Sequence, residues 1–122
     1  MVTRGIRGAT TVTADQSDLI LAATQELLDA ILRANSGLQI EDIASALFTT
    51  TDDLVSVHPA LAARQMGWEY VPMMCAREIP VPGSLPRCVR VLVQWNTDRG
   101  QTAIQHVYMR DAISLRPDLV IS

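Results

Sequence analysis

Hydrophobic and polar residues follow two different periods along the chain, and each period predicts one kind of secondary structure. Val2 to Val12 alternates, which predicts a first β-strand. Leu19 to Ala34 repeats every three to four positions, which predicts an amphipathic α-helix. We expect Asp15 or Ser17 to cap the start of this helix, and the Asn-Ser-Gly segment at 35–37 to end it. Its apolar face consists of Ile20, Ala23, Leu27, Ile31 and Ala34.

Three further apolar stretches predict strands. Ile43 to Thr51 contains alanines but ends in three threonines, which favour a strand over a helix. Val71 to Ala76 and Cys88 to Trp95 form two arms, joined by a loop that contains three prolines and is therefore stiff. Within this loop, Pro82 and Gly83 suit the two central positions of a type II turn.

Two short helices and one last strand complete the predicted elements. A helix runs from Pro59 to Gly67, and a strand carries His106 and Tyr108 on one face. A final short helix from Arg110 to Leu115 is stopped by Pro117.

Helices interspersed with strands predict a single α/β or α+β domain over residues 1–122. We expect the α+β class, with a mixed five-stranded sheet and two main helices.

Composition narrows the range of partners. Hydrophobic residues make up 48% of the chain and charged residues 19%, below the roughly 25% usual for soluble proteins, which indicates an additional buried surface such as an oligomer interface. A net charge of -3 argues against a nucleic-acid or anionic-membrane partner. No run approaches the roughly 18 apolar residues of a membrane span, and no signal-peptide pattern is visible. We therefore expect a cytoplasmic protein without a membrane partner.

The types of reactive side chain limit which kinds of binding site the protein can form. All 10 basic residues are arginines, so any anion site must use the planar, bidentate guanidinium group. Cys75 and Cys88 are too few for a disulfide framework, and we expect both to be reduced. His58 and His106 are isolated from other metal-ligand residues, so no metal site is predicted.

Candidate chemistry is concentrated between Val71 and Trp95. Glu78 ends the first arm, and Arg90 lies inside the strongest predicted strand, where a charged side chain requires a reason. Arg7 lies on the opposite face of its strand from Ile6. From the residues alone, the less favoured alternative for Arg90 is a purely structural pairing with Glu78, whereas Glu78 could as well be a surface carboxylate and Arg7 an ordinary exposed strand arginine.

Four segments together resemble the monofunctional, trimeric class of chorismate mutase. They are RGIRGATTV at 4–12, VPMMCAREIPVPGSLPRCVRVLVQW at 71–95, HVY at 106–108 and LRPDL at 115–119. They occur in the family's order and at close to its spacing. The resemblance implies a cofactor-free isomerase that converts chorismate to prephenate by a Claisen rearrangement, without a covalent intermediate, for aromatic amino-acid synthesis. It also implies a homotrimer with a pseudo α/β-barrel and active sites at the subunit interfaces.

The resemblance also implies roles for individual residues. Arg90 donates to the ether oxygen of chorismate, Glu78 accepts a hydrogen bond from the ring hydroxyl, and Arg7 binds a carboxylate and helps to hold Glu78. Cys75 and Glu78 have opposite strand parity, so they can face one pocket only if the strand ends or bulges near residues 76–77. The implied substrate-binding residues are Tyr108, Cys75, Met74, Arg64, Leu115 and Arg116.

The part of the site supplied by a second subunit departs from the family pattern. By resemblance, Arg64 reaches into the neighbouring subunit's site, and Leu115 with Arg116 closes over it. His58 stands where a bulky aromatic residue often occurs, and Leu61 where some relatives carry a lysine.

Two other classes of function remain open at this point. A trimer that captures a dicarboxylate without turnover would use Arg7 and Tyr108. A small hydrolase would need Cys75 as its nucleophile and His106 as its base, although no spacing in the sequence brings the two together.

Overall fold

Five strands form one mixed sheet in the computed structural model, which describes residues 1–115. The strands are β1 (Val2–Thr11), β2 (Ile43–Thr50), β3 (Met73–Arg77), β4 (Cys88–Thr97) and β5 (Val107–Tyr108). Their order across the sheet is β3-β2-β4-β1-β5. Strand β4 runs antiparallel to both of its neighbours, whereas β3 and β5 run parallel to theirs. The predicted α+β class and mixed five-stranded sheet are confirmed.

The two α-helices cover one face of this sheet. The α-helices are α1 (Ser17–Ala34) and α2 (Ala60–Gln65), and short 3-10 helices occupy Ile40–Asp42, Gln101–Ala103 and Arg110–Leu115. The predicted apolar face of α1 is buried, with Ala34 only partly so. It packs on Ile6 of β1, Phe48 of β2 and Val91 of β4 in one core cluster. This burial is the main stabilisation of α1, because most of the stability of a helix in a protein comes from the packing of its apolar face.

The start of α1 differs from the prediction. Gln16 occupies the N-cap position, and no side chain caps the helix. The Asp15 carboxylate instead accepts hydrogen bonds from the backbone N–H groups of Val55 and Ser56, at 3.0 and 3.1 Å. The Ser17 hydroxyl donates to the carbonyl of Ser56. Both predicted caps therefore tie the start of α1 to a loop about forty residues away.

The loop between β3 and β4 contains the predicted turn. The N–H of Ser84 donates to the carbonyl of Val81 at 3.0 Å, and Gly83 has a φ of 84°. A positive φ at the third residue is the mark of a type II turn and explains why glycine stands there. The turn lies between Glu78 and Arg90, the two candidate site residues of this region.

The last strand is shorter than predicted, whereas the last helix has the predicted bounds. β5 contains only Val107 and Tyr108, with His106 just before it. The predicted final helix is a 3-10 helix. Pro117, the predicted stop of that helix, lies outside the described residues.

The sheet face away from α1, which we call the second face, carries the side chains of Arg7, Leu47, Thr49, Arg90 and Leu92. The 3-10 helix Arg110–Leu115 covers one corner of it by packing on Ala9, Cys88 and Tyr108. Leu47 and Leu92 remain 39% and 36% exposed, so the described residues 1–115 leave apolar surface uncovered on this face.

Candidate active site

Two arginines and one glutamate converge on the second face. Arg7 comes from β1, Arg90 from β4, and Glu78 from the residue that follows β3. These three side chains line one open cavity of about 200 Å³, together with Thr49 and Leu92 among others. The structure thus brings together the three residues that the sequence singled out for catalysis.

The end of β3 decides the position of Glu78. The strand stops at Arg77, but Cys75 and Glu78 lie on opposite faces of the sheet, so within the described residues the end of the strand does not bring them into one pocket. The N–H of Glu78 then donates to the carbonyl of Thr50 at 2.9 Å, which keeps the residue against β2. Its side chain turns to the second face, where Thr49 donates its hydroxyl to Glu78 Oε2.

Arg90 and Glu78 form an ion pair without a hydrogen bond. Arg90 Nε lies 3.8 Å from Glu78 Oε2, which exceeds hydrogen-bond distance. Both side chains are less than a third exposed, at 28% and 27%, so water screens the pair only in part. Arg90 Nε is buried and has no hydrogen-bond partner within residues 1–115. A buried guanidinium donor without an acceptor is costly, which makes it a candidate donor to a ligand.

Tyr108 lies beside Arg7 because β5 pairs with β1. Tyr108 is opposite Ala9, and the Arg7 guanidinium carbon lies 5.8 Å from the centroid of its ring. Tyr108 as a whole is 2% exposed, and its hydroxyl has no hydrogen-bond partner in the described part of the chain. Just outside this short strand, His106 Nδ1 accepts a hydrogen bond from the Arg7 N–H at 2.9 Å. His106 thereby fixes the backbone from which Arg7 extends.

Cys75 and Met74 point to opposite faces of β3. Cys75 pairs with Phe48 and packs against the core on the helix side. There it lines a separate cavity of about 420 Å³ with His58 among others. Met74 pairs with Leu47 and is 72% exposed. Within one chain, neither side chain lines the cavity that holds Arg90.

The remaining predicted site residues also stand apart from Arg90. Arg64 is an exposed residue of α2 on the helix side of the sheet. Leu115 packs beside Tyr108 and Cys88, at the edge of the second face. Arg116 lies outside the described residues.

The hydrolase hypothesis is not supported by the geometry. Cys75 is in β3 at one edge of the sheet, and His106 precedes β5 at the other edge, with three strands between them. A nucleophile and its base must be within hydrogen-bond reach.

Cys75 and Cys88 are both free thiols. Within residues 1–115, no group of three or more histidine, cysteine or acidic side chains could hold a metal ion.

The sequence analysis did not place two residues near this cluster, Cys88 and Thr49. Burial raises the pKa of the Cys88 thiol, while the nearby Arg90 guanidinium opposes this shift. Cys88 lies two residues before Arg90 on β4, packed against Ala9 and Tyr108 beside the charged cluster. Thr49 lies directly opposite Arg90 in the register of β2 and β4. Nothing in its spacing from Glu78 could have revealed the hydrogen bond between them.

Fold and cluster together define a class of protein: an α+β domain whose sheet carries two guanidinium groups and one carboxylate around one cavity, an arrangement suited to an anionic ligand. The model of one family, chorismate mutase type I, matches residues 3–119. The chain therefore belongs to the chorismate mutase type I family.

Individual relatives agree with this assignment. The chain is 55% identical to the chorismate mutase AroH of Thermus thermophilus over 116 residues, which cover 95% of each protein. It is 44% identical to the chorismate mutase AroH of Bacillus subtilis (strain 168), over 100% of this chain and 96% of that protein. A solved structure of a chorismate mutase from Clostridium thermocellum has a TM-score of 0.88 at 48% identity, and the match covers 90% of this chain and 97% of that one.

Proposed function

We propose that this protein converts chorismate to prephenate on the second face of its sheet. Family membership provides the reaction class, and the cluster of Arg7, Glu78 and Arg90 provides the place. The single observation that carries the assignment of place is the buried, unpaired Nε of Arg90, held 3.8 Å from Glu78.

The rearrangement itself makes limited demands on a protein. Chorismate is a dianion that breaks a C–O bond while a C–C bond forms, with no proton transfer and no nucleophile. The protein accelerates it by holding the compact conformer and by stabilising the charge that develops on the ether oxygen. A preorganised donor at such an oxygen is worth about 3 to 4 kcal/mol. Arginines on a rigid sheet meet this demand.

Each residue of the cluster receives a role in this proposal. Arg90 donates to the ether oxygen and to one carboxylate. Glu78 orients the ring hydroxyl, and Arg7 binds a carboxylate. Tyr108 supports Arg7 through its ring and offers its buried hydroxyl as a further donor.

A second subunit is needed to complete the site. A cavity of about 200 Å³ is smaller than the roughly 300 to 1,000 Å³ of typical ligand pockets, and it is open to water. The exposed apolar residues of the second face are those expected of an interface; they are Leu47, Met74 and Leu92. We therefore propose a homotrimer in which Arg64 and Cys75, on the helix side of one subunit, face the Arg90 cluster of the next, while Met74 of the edge strand β3 lies at the rim of this contact.

Arg116 and Leu115 are proposed to close over this site.

In the described part of the chain, no helix is long and apolar enough to cross a bilayer. A cytoplasmic location remains part of the proposal.

The experiment that tests the function follows the loss of chorismate's ultraviolet absorbance on adding purified protein. Arg90→Ala is the informative variant, and Arg33→Ala is its matched control, because Arg33 is an exposed arginine paired with Asp29 on α1. We expect rapid loss with the unaltered protein and with Arg33→Ala, and little with Arg90→Ala. If the folded, unaltered protein leaves chorismate unchanged but binds it, capture of a dicarboxylate without turnover replaces the proposal.

A further inference from the structure

Thr49 stands between the two charged groups of the proposed active site. In the sheet register it is opposite Arg90 on β4 and opposite Ala76 on β3, two residues before Glu78. Its side chain is partly buried on the second face and lines the same cavity as both charged residues. Thr49 is thus adjacent to the glutamate and to the arginine at once.

The hydroxyl of Thr49 makes a directional contact with the acid. Thr49 Oγ1 is hydrogen-bonded to Glu78 Oε2, the same oxygen that faces Arg90 Nε. An ionised carboxylate can only accept hydrogen bonds, so the threonine hydroxyl is the donor. A hydrogen bond to a charged acceptor is shorter and stronger than one between neutral groups.

Glu78 depends on this contact because it has left the strand. β3 ends at Arg77, and the bond from the Glu78 N–H to the Thr50 carbonyl fixes its backbone but not its side chain. The ion pair with Arg90 is too long to be a hydrogen bond, so it leaves the direction of the carboxylate poorly defined. Among residues 1–115, Thr49 makes the hydrogen bond that aims the Glu78 carboxylate.

We infer that Thr49 is a positioning residue of the active site. It holds Glu78 Oε2 on the side of Arg90 and leaves the other carboxylate oxygen free for the substrate. Arg90 Nε is thereby kept close to a negative charge without forming a hydrogen bond to it, so this donor stays available. The inference rests on the proposed function, since it concerns how Glu78 is held for chorismate.

Thr49→Val tests the inference most directly, because valine keeps the shape and the strand preference of threonine and removes only the hydroxyl. We expect kcat/KM for chorismate to fall about ten- to a hundredfold, mostly through kcat. Thr49→Ser, which restores the hydroxyl, should recover activity to within about threefold of the unaltered protein. Thr3→Val is the matched control, because Thr3 also donates to a side chain, that of Asn96, at the far end of the sheet.

A double-mutant cycle separates positioning from a structural effect. In a Glu78→Ala background, Thr49→Val should lower kcat/KM by less than about twofold, because its partner is already absent. An equal loss in both backgrounds, or full activity of Thr49→Val beside an inactive Arg90→Ala, would overturn the role of Thr49 and leave the proposed function standing. If Thr49→Val unfolds, Thr49→Ala is judged by the same cycle. Absence of turnover in the unaltered protein would overturn both proposals.

Discussion

Arg90 lies on a central strand, and its positive charge is only partly compensated by neighbouring groups. Its Nε is buried without a hydrogen bond among residues 1–115, and the carboxylate of Glu78 is 3.8 Å away. A guanidinium presents several N–H donors in one plane, so it can donate hydrogen bonds to an ether oxygen and to a carboxylate at the same time. A lysine ammonium group carries the same charge but lacks this planar arrangement of donors.

Arg90→Lys should therefore impair catalysis far more than folding. We expect kcat to fall about a hundred- to a thousandfold, since a preorganised donor is lost, while the melting temperature changes by only a few degrees. Steady-state kinetics and thermal unfolding on the same preparation measure the two effects. Arg33→Lys, at an exposed helical site paired with Asp29, controls for the exchange of side chain. Near-normal kcat in Arg90→Lys would contradict the role assigned to Arg90.

The buried thiol of Cys88 leads us to expect that the stability of the protein depends on pH. Burial raises the pKa of its thiol, so the folded protein holds this proton more tightly than the unfolded chain does. This contribution to stability is fully present below the unfolded pKa of about 8.5 and is lost as pH rises through the higher folded value. In urea unfolding at fixed protein concentration, stability should decline above about pH 8.5 by at most about 1.4 kcal/mol per pH unit from this group.

Cys88→Ala isolates that contribution. The variant is expected to be less stable at neutral pH because alanine fills less of the buried site, but its stability should decline less steeply above pH 8.5 than that of the unaltered protein. Cys75→Ala, at a partly exposed position, serves as the control. Parallel slopes for Cys88→Ala and the unaltered protein would rule out the thiol as the cause.

At the scale of the elements, the packing of β1 on α1 fixes the distance between sheet and helix. A methyl group added at Gly8 would lie 2.7 Å from Ile31 Cδ1 and 3.2 Å from both Leu27 Cδ1 and Val91 Cγ1. All three belong to the core cluster, so there is little room for them to move. Gly8 is adjacent to Arg7, so a displacement of β1 here would reach the proposed site.

Gly8→Ala should consequently destabilise the protein. Overpacking of a filled core typically costs about 1 to 3 kcal/mol, and chemical denaturation measures the change in the free energy of unfolding. Gly5→Ala is the matched control on the same strand, because its added methyl would meet only Leu92 Cδ1, at 3.2 Å, on the more exposed second face. Equal stability of the two variants would mean that β1 can shift away from α1 at little cost.

Periodicity predicted the elements well and their tertiary contacts poorly. The helical repeat gave the end of α1 at Ala34 and a start within two residues of that observed, and the threonine-rich end of Ile43–Thr50 correctly indicated a strand. The caps of α1 were wrong because the Asp15 carboxylate has better partners in a distant loop, which no local pattern encodes. For the same reason, the sequence did not predict the hydrogen bond between Thr49 and Glu78, because this contact depends on the register of three strands.

At the scale of the whole molecule, the proposed active site involves two surfaces of the chain. The second face carries the charged cluster beside exposed apolar residues, and the cavity lined by His58 and Cys75 opens on the helix side. One chain cannot bring the two surfaces together, since they lie on opposite sides of the sheet. A cyclic trimer can, because each subunit would present its helix-side cavity to the second face of the next.

This arrangement predicts that two inactive variants restore each other. Arg90→Ala removes a residue of the second face, and Arg64→Ala removes a residue on α2, at the helix side. In randomly mixed trimers of the two variants, about one quarter of the interfaces would join an intact Arg90 to an intact Arg64, so co-expression should recover about a quarter of the original activity. Each variant alone should be nearly inactive. The matched control is Arg90→Ala co-expressed with Glu78→Ala: both changes fall in the same half of the site, so no interface would be whole and no activity should return. If Arg64 instead served a site within its own chain, the first pair would show no more than the average of its two members, and the site would not span subunits.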